Sequence, residues 1–180
     1  IYIGDGISSA TTFDISSAVF KPAGGVTIPD NFAKEDLVTH RIDAGNRGLL
    51  IWNASNVYVT PNSLEAPFTT AASVQRGVDA SSTAWTVNIA DGTYLGDVNL
   101  NKSVTLDGQS RNGTILKGVY AAGVGATVYI ATTAANNATV KDLTVTRDYQ
   151  DWYGSTKNYG VLLSGGVNNV TLDNLKVTDN

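Results

Sequence analysis

The chain has 180 residues, a formal net charge of −4, a sequence pI of about 4.7, 18 glycines and neither cysteine nor methionine. That length holds one core, with room for a smaller N-terminal piece. The negative balance leaves no electrostatic footprint for phosphate backbones, the missing cysteines exclude disulfides and thiolate metal sites, and no apolar run is long enough to cross a bilayer. Neither nucleic acid nor membrane insertion is therefore expected.

Residues 1–28 carry a strand candidate, Ile1 to Ile3, then a Gly-Asp-Gly turn and a polar mixture in which Phe13, Ile15, Val19 and Phe20 are the expected buried positions. Nothing in IYIGDG resembles a secretion signal, so export would depend on a segment outside this sequence. From Asp30 to Ala44 the pattern turns helical. Pro29-Asp30 is the start signal, Gly45 the stop, and Lys34, Glu35 and Asp36 are the solvent-facing candidates. His40, the single histidine, has no second histidine beside it in sequence and is expected at the surface or partly packed. Leu49 to Trp52 and Val57 to Thr60 read as strands joined by an Asn-Ala-Ser-Asn turn. Residues 1–60 are thus an N-terminal extension with one helix and strand-like runs.

Residues 61–180 form the second unit. Ala71 to Ala80 is a short amphipathic helix with Ala71, Val74 and Val78 on one face. Behind it come the runs Val87–Ile89, Val98–Leu100, Val104–Leu106 and Thr114–Leu116, separated by Asp-Gly at 91 and 107 and Asn-Gly at 112. Apolar residues two apart within a run give each strand one buried face. Later segments repeat the theme. Val128-Tyr129-Ile130 and Val161-Leu162-Leu163 match Val87-Asn88-Ile89, Val140 and Val170 match Val104, and Leu143/Val145 is echoed by Leu175/Val177. Asn88, Asn99, Asn101, Asn136, Asn137, Asn168, Asn169 and Asn174 fall where strands end or bend. There asparagine tolerates left-handed backbone and can bond to its equivalent one repeat away. A β-sandwich would give similar strand counts.

The string TVNIADGTYLGDVNLNKSVTLDGQSRNGTILKG, Thr86 to Gly118, resembles the first coil of the pectin-lyase-like superfamily, where an apolar strand, Gly-Thr-Tyr, a second strand, a Lys, a third strand, Gly and a Thr-Ile pair recur. It is also similar to coils in the passenger regions of large bacterial surface adhesins. The resemblance implies an all-β fold, a right-handed parallel β-helix (solenoid), with Thr86–Gly118 as one full turn and the helix before it capping the open end. The missing initiator Met and the stop at Leu175–Asn180 are expected of a piece of a longer protein.

The stretch with most chemistry is RDYQDWYGSTKNY, Arg147 to Tyr159. Tyr149, Trp152 and Tyr153 beside Asp148, Asp151 and Lys157 suit a sugar, whose apolar face stacks on a ring while its hydroxyls bond to polar neighbours. The alternative is a loop core in which the aromatics fold over the strands. No catalytic set is expected. Where the resembling pectin methylesterases carry Gln before the following strand, this chain has Asn158-Tyr159. Asp107, Asp142 and Asp173 do not form a Ca²⁺ series, and one histidine supports no Ser-His-Asp arrangement. No cofactor or metal is expected.

The sequence therefore points to a non-catalytic structural or adhesive β-helical module of a large bacterial surface or secreted protein. It would be extracellular or on the cell surface, with a glycan or cell-surface ligand and possible self-association through open β-helix ends. The alternative is the N-terminal part of a polysaccharide-active enzyme, pectin esterase-like or lyase-like, or a carbohydrate-binding β-helix.

Overall fold

The computed structural model describes residues 1–4, 6–21, 24–119, 124–148 and 157–179. The chain is built of short strands in parallel sheets, with few helices. In order they are β1 (Thr12–Asp14), α1 (Asn31–Glu35), β2 (Leu49–Ile51), β3 (Asn56–Val59), α2 (Val74–Ala80), β4 (Thr86–Ile89), β5 (Gly92–Leu95), β6 (Val98–Leu100), β7 (Thr105–Gly108) and β8 (Thr114–Gly118). There follow β9 (Val124–Ile130), a 3-10 turn at Thr133–Ala135, β10 (Thr139–Lys141), β11 (Thr144–Arg147), β12 (Lys157–Leu163), β13 (Thr171–Asp173) and β14 (Lys176–Val177).

Three sheets share the strands in rotation. One runs β13-β10-β7-β4-β3, the next β14-β11-β8-β5, the third β12-β9-β6. The chain therefore visits the three sheets in turn and lays each strand parallel beside its counterpart from the previous round. Register stacks like on like: Val87, Leu106, Val140 and Leu172 in the first sheet, Tyr94, Leu116, Val145 and Val177 in the second, Leu100 and Ile130 in the third. Apart from Leu172 and Val177 on the last strands, these side chains are buried in one common core. Each such burial contributes about 1.5–3 kcal/mol, which is how strands of three or four residues persist.

Three expectations about repeats change. Thr86–Gly118 contains five strands, not one turn's worth, because Gly92–Leu95 is itself a strand that pairs with β8 and buries Tyr94. Val128–Ile130 and Val161–Leu163 continue Val98–Leu100, not Val87–Ile89. Val140 stacks on Leu106 rather than Val104. Val87–Ile89, Val98–Leu100 and Val128–Ile130 share one in-out-in pattern, so periodicity cannot say to which sheet a run belongs; turn length decides that. The pairing of Val145 with Val177 matches the sequence spacing.

Asparagines and aspartates shape the corners. Asn137 and Asn169 have φ of 66° and 55°, Asp142 and Asn174 of 57° and 46°, in the left-handed region that short polar side chains tolerate. Across thirty-two residues Asn174 Nδ2 donates to Asp142 Oδ1 (2.6 Å), the Asn168 amide donates to Asn136 Oδ1 (2.8 Å), and Asn88 Nδ2 donates to Asn56 Oδ1 (3.0 Å).

Helix α2 is shorter than expected and starts after Ser73, whose hydroxyl accepts from the Arg76 amide. It lays Val74 and Val78 onto the core. Gly77 lets the helix approach closely, since a Cβ there would stand 2.8 Å from both Val59 and Val87. Lys102 Nζ closes the far end by donating to the carbonyls of Val78 and Ser81.

The N-terminal segment departs further from expectation. The helix stops at Glu35 rather than Ala44, capped by Asp30 Oδ1 on the Phe32 amide. The following residues turn back so that Thr39 bridges Tyr2 and Val38 joins Phe20 and Leu50 in a small second core. In place of the expected strand, Ile1–Ile3 makes an isolated parallel bridge and packs Ile3 against the second core. Phe20 is buried as expected, whereas Phe13 and Val19 are exposed. β1 pairs with β2, and β3 is the edge strand of the sheet that holds β4. Ile42 and Leu49 enter the main core, so the segments 1–60 and 61–180 share one sheet and one core.

Candidate functional site

Of the residues singled out in the sequence, Tyr149, Asp151, Trp152 and Tyr153 lie outside the described residues. Asp148 and Lys157 flank them. Asp148 is exposed, pairs with Lys117 Nζ at 2.8 Å, and donates its amide to the Gly118 carbonyl. Lys157 is exposed at the start of β12, opposite Val124 of β9.

Just inside this pair is a polar centre that the sequence reading missed. Arg147 ends β11 and is only 2% exposed. Its guanidinium grips Asp97, with Nη1 2.6 Å from Oδ1 and Nη2 3.2 Å from Oδ2, while Nε donates to Asn158 Oδ1 at 2.7 Å. A planar fork that meets a carboxylate with two parallel bonds is the arrangement that best offsets the desolvation of a buried arginine. Space comes from two glycines that stand as the strand partners of these side chains: Gly118 beside Arg147 and Gly125 beside Asn158. A Cβ on Gly118 would lie 2.6 Å from Arg147 Nη1, and one on Gly125 would overlap Nη2 and come within 3.0 Å of Asn158 Oδ1. The Thr127 hydroxyl, donating to the Thr146 carbonyl, closes the corner.

Outside this centre the third sheet carries an open groove of about 340 Å³, lined among others by Asp97, Asn99, Gly125, Ala126, Tyr129 and Leu162. Asn99, Tyr129 and Leu162 are register partners on successive strands, so their side chains form one outward row. The Tyr129 hydroxyl accepts from Ser164 Oγ at 3.3 Å. Asn158 Nδ2 is buried with no hydrogen-bond partner among the described residues.

A second polar cluster surrounds His40. It is 1% exposed, with Glu35 and Asp43 also buried, against the expectation of a surface or partly packed histidine and a solvent-facing Glu35. The early end of α1 is the cause, because the chain folds back and carries His40 inward. His40 Nε2 lies 3.2 and 3.1 Å from the two Glu35 oxygens, Nδ1 accepts the Leu50 amide at 3.0 Å, and the His40 amide donates to Asp43 Oδ2 at 2.8 Å. Ser63 Oγ donates to Glu35 Oε1. Burial, and secondarily the Glu35 charge, push the Asp43 carboxyl up to about 7 against the His40 amide bond.

Ligand atoms of Glu35, His40 and Asp43 lie within 4.8 Å of one another, close enough for a metal ion. The hydrogen bonds argue otherwise. A ring nitrogen that accepts an amide proton carries none of its own, so the imidazole proton sits on Nε2 and points at Glu35. Both nitrogens are then occupied, without the outward N–H that a metal-bound histidine donates to a second-shell acceptor. The cluster fastens α1, the following turn and β2 together. Next to it, buried Arg47 pairs with Glu65 through two bonds and lies between the rings of Tyr2 and Phe68, at 5.0 and 5.2 Å.

Arg147 opens the stretch singled out in the sequence, but its burial could have been flagged only through the glycines at 118 and 125, whose relevance depends on register. Compared with known proteins, the chain matches no family model, no curated protein and no solved structure.

Proposed function

We propose that the chain is a length of right-handed parallel β-helix, of the pectin-lyase-like kind, serving as a non-catalytic structural or adhesive module of a large bacterial surface or secreted protein. The observation that carries this reading is the rotation of strands through three parallel sheets with like residues stacked in register. Such a body is extended by adding rounds and can hold a loop out from its side without altering its core. The segment between β11 and β12 is the natural element of display, because Arg147 and Asn158, on the strands that flank it, are hydrogen-bonded to each other. The charged and titratable side chains with the most buried positions, Arg147, Arg47, His40 and Glu35, are engaged in holding elements to one another, which favours a scaffold over an enzyme. Leu172 and Val177 on the last strands are about half exposed. A further strand, from the same chain or from a second copy, would cover them, which is the basis for self-association.

The test is binding of the whole chain to a panel of plant and bacterial polysaccharides and to bacterial and host cell surfaces, with turnover followed in parallel. Retention without bond cleavage, lost in the Trp152→Ala/Tyr153→Ala variant, supports the adhesive module. Cleavage or de-esterification of any of these polymers overturns it in favour of the enzyme reading.

A further inference from the structure

We infer that the groove on the outer face of the third sheet is a binding subsite for one neutral sugar residue, with Tyr129 as its stacking surface and Asp97 and Asn99 as its polar rim. The inference rests on the adhesive reading above but places the contact on the strands rather than on the loop.

Three observations point to this ligand class. The volume, about 340 Å³, is at the lower end of the range for small-molecule pockets, roughly 300–1,000 Å³, and suits one or two sugar rings. Its surface combines an aromatic ring with the small residues Gly125 and Ala126 and the side chain of Leu162. The apolar face of a pyranose needs such a floor, and a tyrosine presents it at little cost in side-chain freedom. Asp97 lies on the rim with its carboxylate 38% exposed. Arg147 holds both of its oxygens from behind, so it offers the remaining lone pairs as fixed acceptors for hydroxyl groups.

Charge decides the kind of sugar. The Arg147 guanidinium and the Asp97 carboxylate cancel at the back of the groove, so no net charge remains there to attract an ion. A uronic acid would set its carboxylate against the exposed side of Asp97, and like charges at short range disfavour binding. A hydroxyl-rich, uncharged ring meets acceptors, a donor and an aromatic face. Affinity for one residue should be weak, and repetition along a polymer would raise it.

The experiment uses the full chain labelled with ¹⁵N, titrated with neutral oligosaccharides of glucose, mannose and galactose and, separately, with oligogalacturonate. Expected are shifts at the Asn99, Gly125, Ala126 and Tyr129 amides with a neutral sugar, at least tenfold weaker binding in Tyr129→Ala, and at least tenfold weaker binding of the uronate. Asn99→Ala, at an exposed position, gives a second variant that leaves the core intact, and it should also weaken the titration. Absence of these shifts with every neutral sugar up to roughly tens of millimolar overturns the inference. So does a titration unchanged by both substitutions, or preferential binding of the uronate. Binding abolished by Trp152→Ala/Tyr153→Ala but untouched by Tyr129→Ala would remove the groove subsite and leave the adhesive module standing.

Discussion

Arg147 and Asp97, fifty residues apart in sequence, meet through two hydrogen bonds of 2.6 and 3.2 Å at the corner between the second and third sheets. Asp97 lies between β5 and β6, and Arg147 ends β11, so the pair joins two rounds of the chain as well as two sheets. Asp97→Ala should destabilise the protein by about 2–4 kcal/mol, because it leaves a buried guanidinium with only Asn158 as its partner. Arg147→Lys should recover little, since an ammonium cannot span both carboxylate oxygens and Asn158 together. Urea unfolding of the two variants beside Arg147→Met checks this; Arg147→Met should cost less than Asp97→Ala if the unpaired charge is the main penalty.

The glycines opposite this pair should be as sensitive as the pair itself. Gly125→Ala puts a methyl group into the space of the Arg147 guanidinium, and Gly118→Ala meets the same side chain and Thr127. A loss of about 1–3 kcal/mol in each follows from overpacking. Gly45, where a Cβ would meet nothing within 4 Å, is the control: Gly45→Ala should be neutral or stabilising by about 0.4–1 kcal/mol, through reduced freedom of the unfolded chain. Thermal unfolding of the three variants separates these outcomes.

Asp43 should make stability depend on pH. Its carboxyl is raised from 3.8 to about 7 in the folded chain, so between these values the folded state binds more protons than the unfolded one, and stability falls as pH rises. The contribution is fully present below pH 3.8 and is lost on passing through pH 7, with a total on the order of 2–4 kcal/mol at about 1.4 kcal/mol per pH unit. Asp43→Asn keeps an acceptor for the His40 amide and should flatten this part of the curve. Urea midpoints measured from pH 4 to pH 8 in both proteins give the comparison.

The hydrogen bonds of His40 predict that Zn²⁺ leaves the melting temperature unchanged, because the lone pair of Nδ1 receives the Leu50 amide and Nε2 carries the proton facing Glu35. Removal of the ring is another matter. His40→Ala would strand the Leu50 amide and the Glu35 carboxylate in the interior, at a cost of about 3–5 kcal/mol. Calorimetry with and without Zn²⁺ tests the first statement, and denaturation of the variant the second.

Gln75 of α2 guards the free edge of β6. Its amide accepts the Asn99 N–H at 2.7 Å and donates toward the Asn99 carbonyl at 3.4 Å, standing in for a neighbouring strand. Gln75→Ala should expose that edge to pairing with another chain. Faster hydrogen exchange at the Asn99 amide and a larger dimer fraction in sedimentation are the expected results.

Much of the strand content could be read directly. The runs at 87–89, 98–100 and 104–106 are apolar at alternate positions with turn residues between them, and alternation is a local property of the chain. The helix before β4 was legible from its apolar face, and Asn137, Asn169 and Asn174 from their tolerance of left-handed backbone, whereas Asn88 and Asn99 lie within strands and not where strands end or bend. Tyr94 was not, because Gly-Thr-Tyr between two turn signals has no alternating pattern to mark it as a strand. The aromatic stretch after Arg147 was visible from composition alone, but not that Arg147 and Asn158 are hydrogen-bonded to each other.

What the sequence determined by itself was the polarity of most of the small strands and their need to stack, since none can bury its apolar face alone. Only tertiary structure decided which run joins which sheet, that His40 turns inward to Glu35, and that Arg147 meets Asp97 between Gly118 and Gly125. Those choices depend on turn lengths and on contacts between residues tens of positions apart. A pattern of period two is the same in runs of different sheets, such as Val87–Ile89 and Val98–Leu100, and carries no information about them.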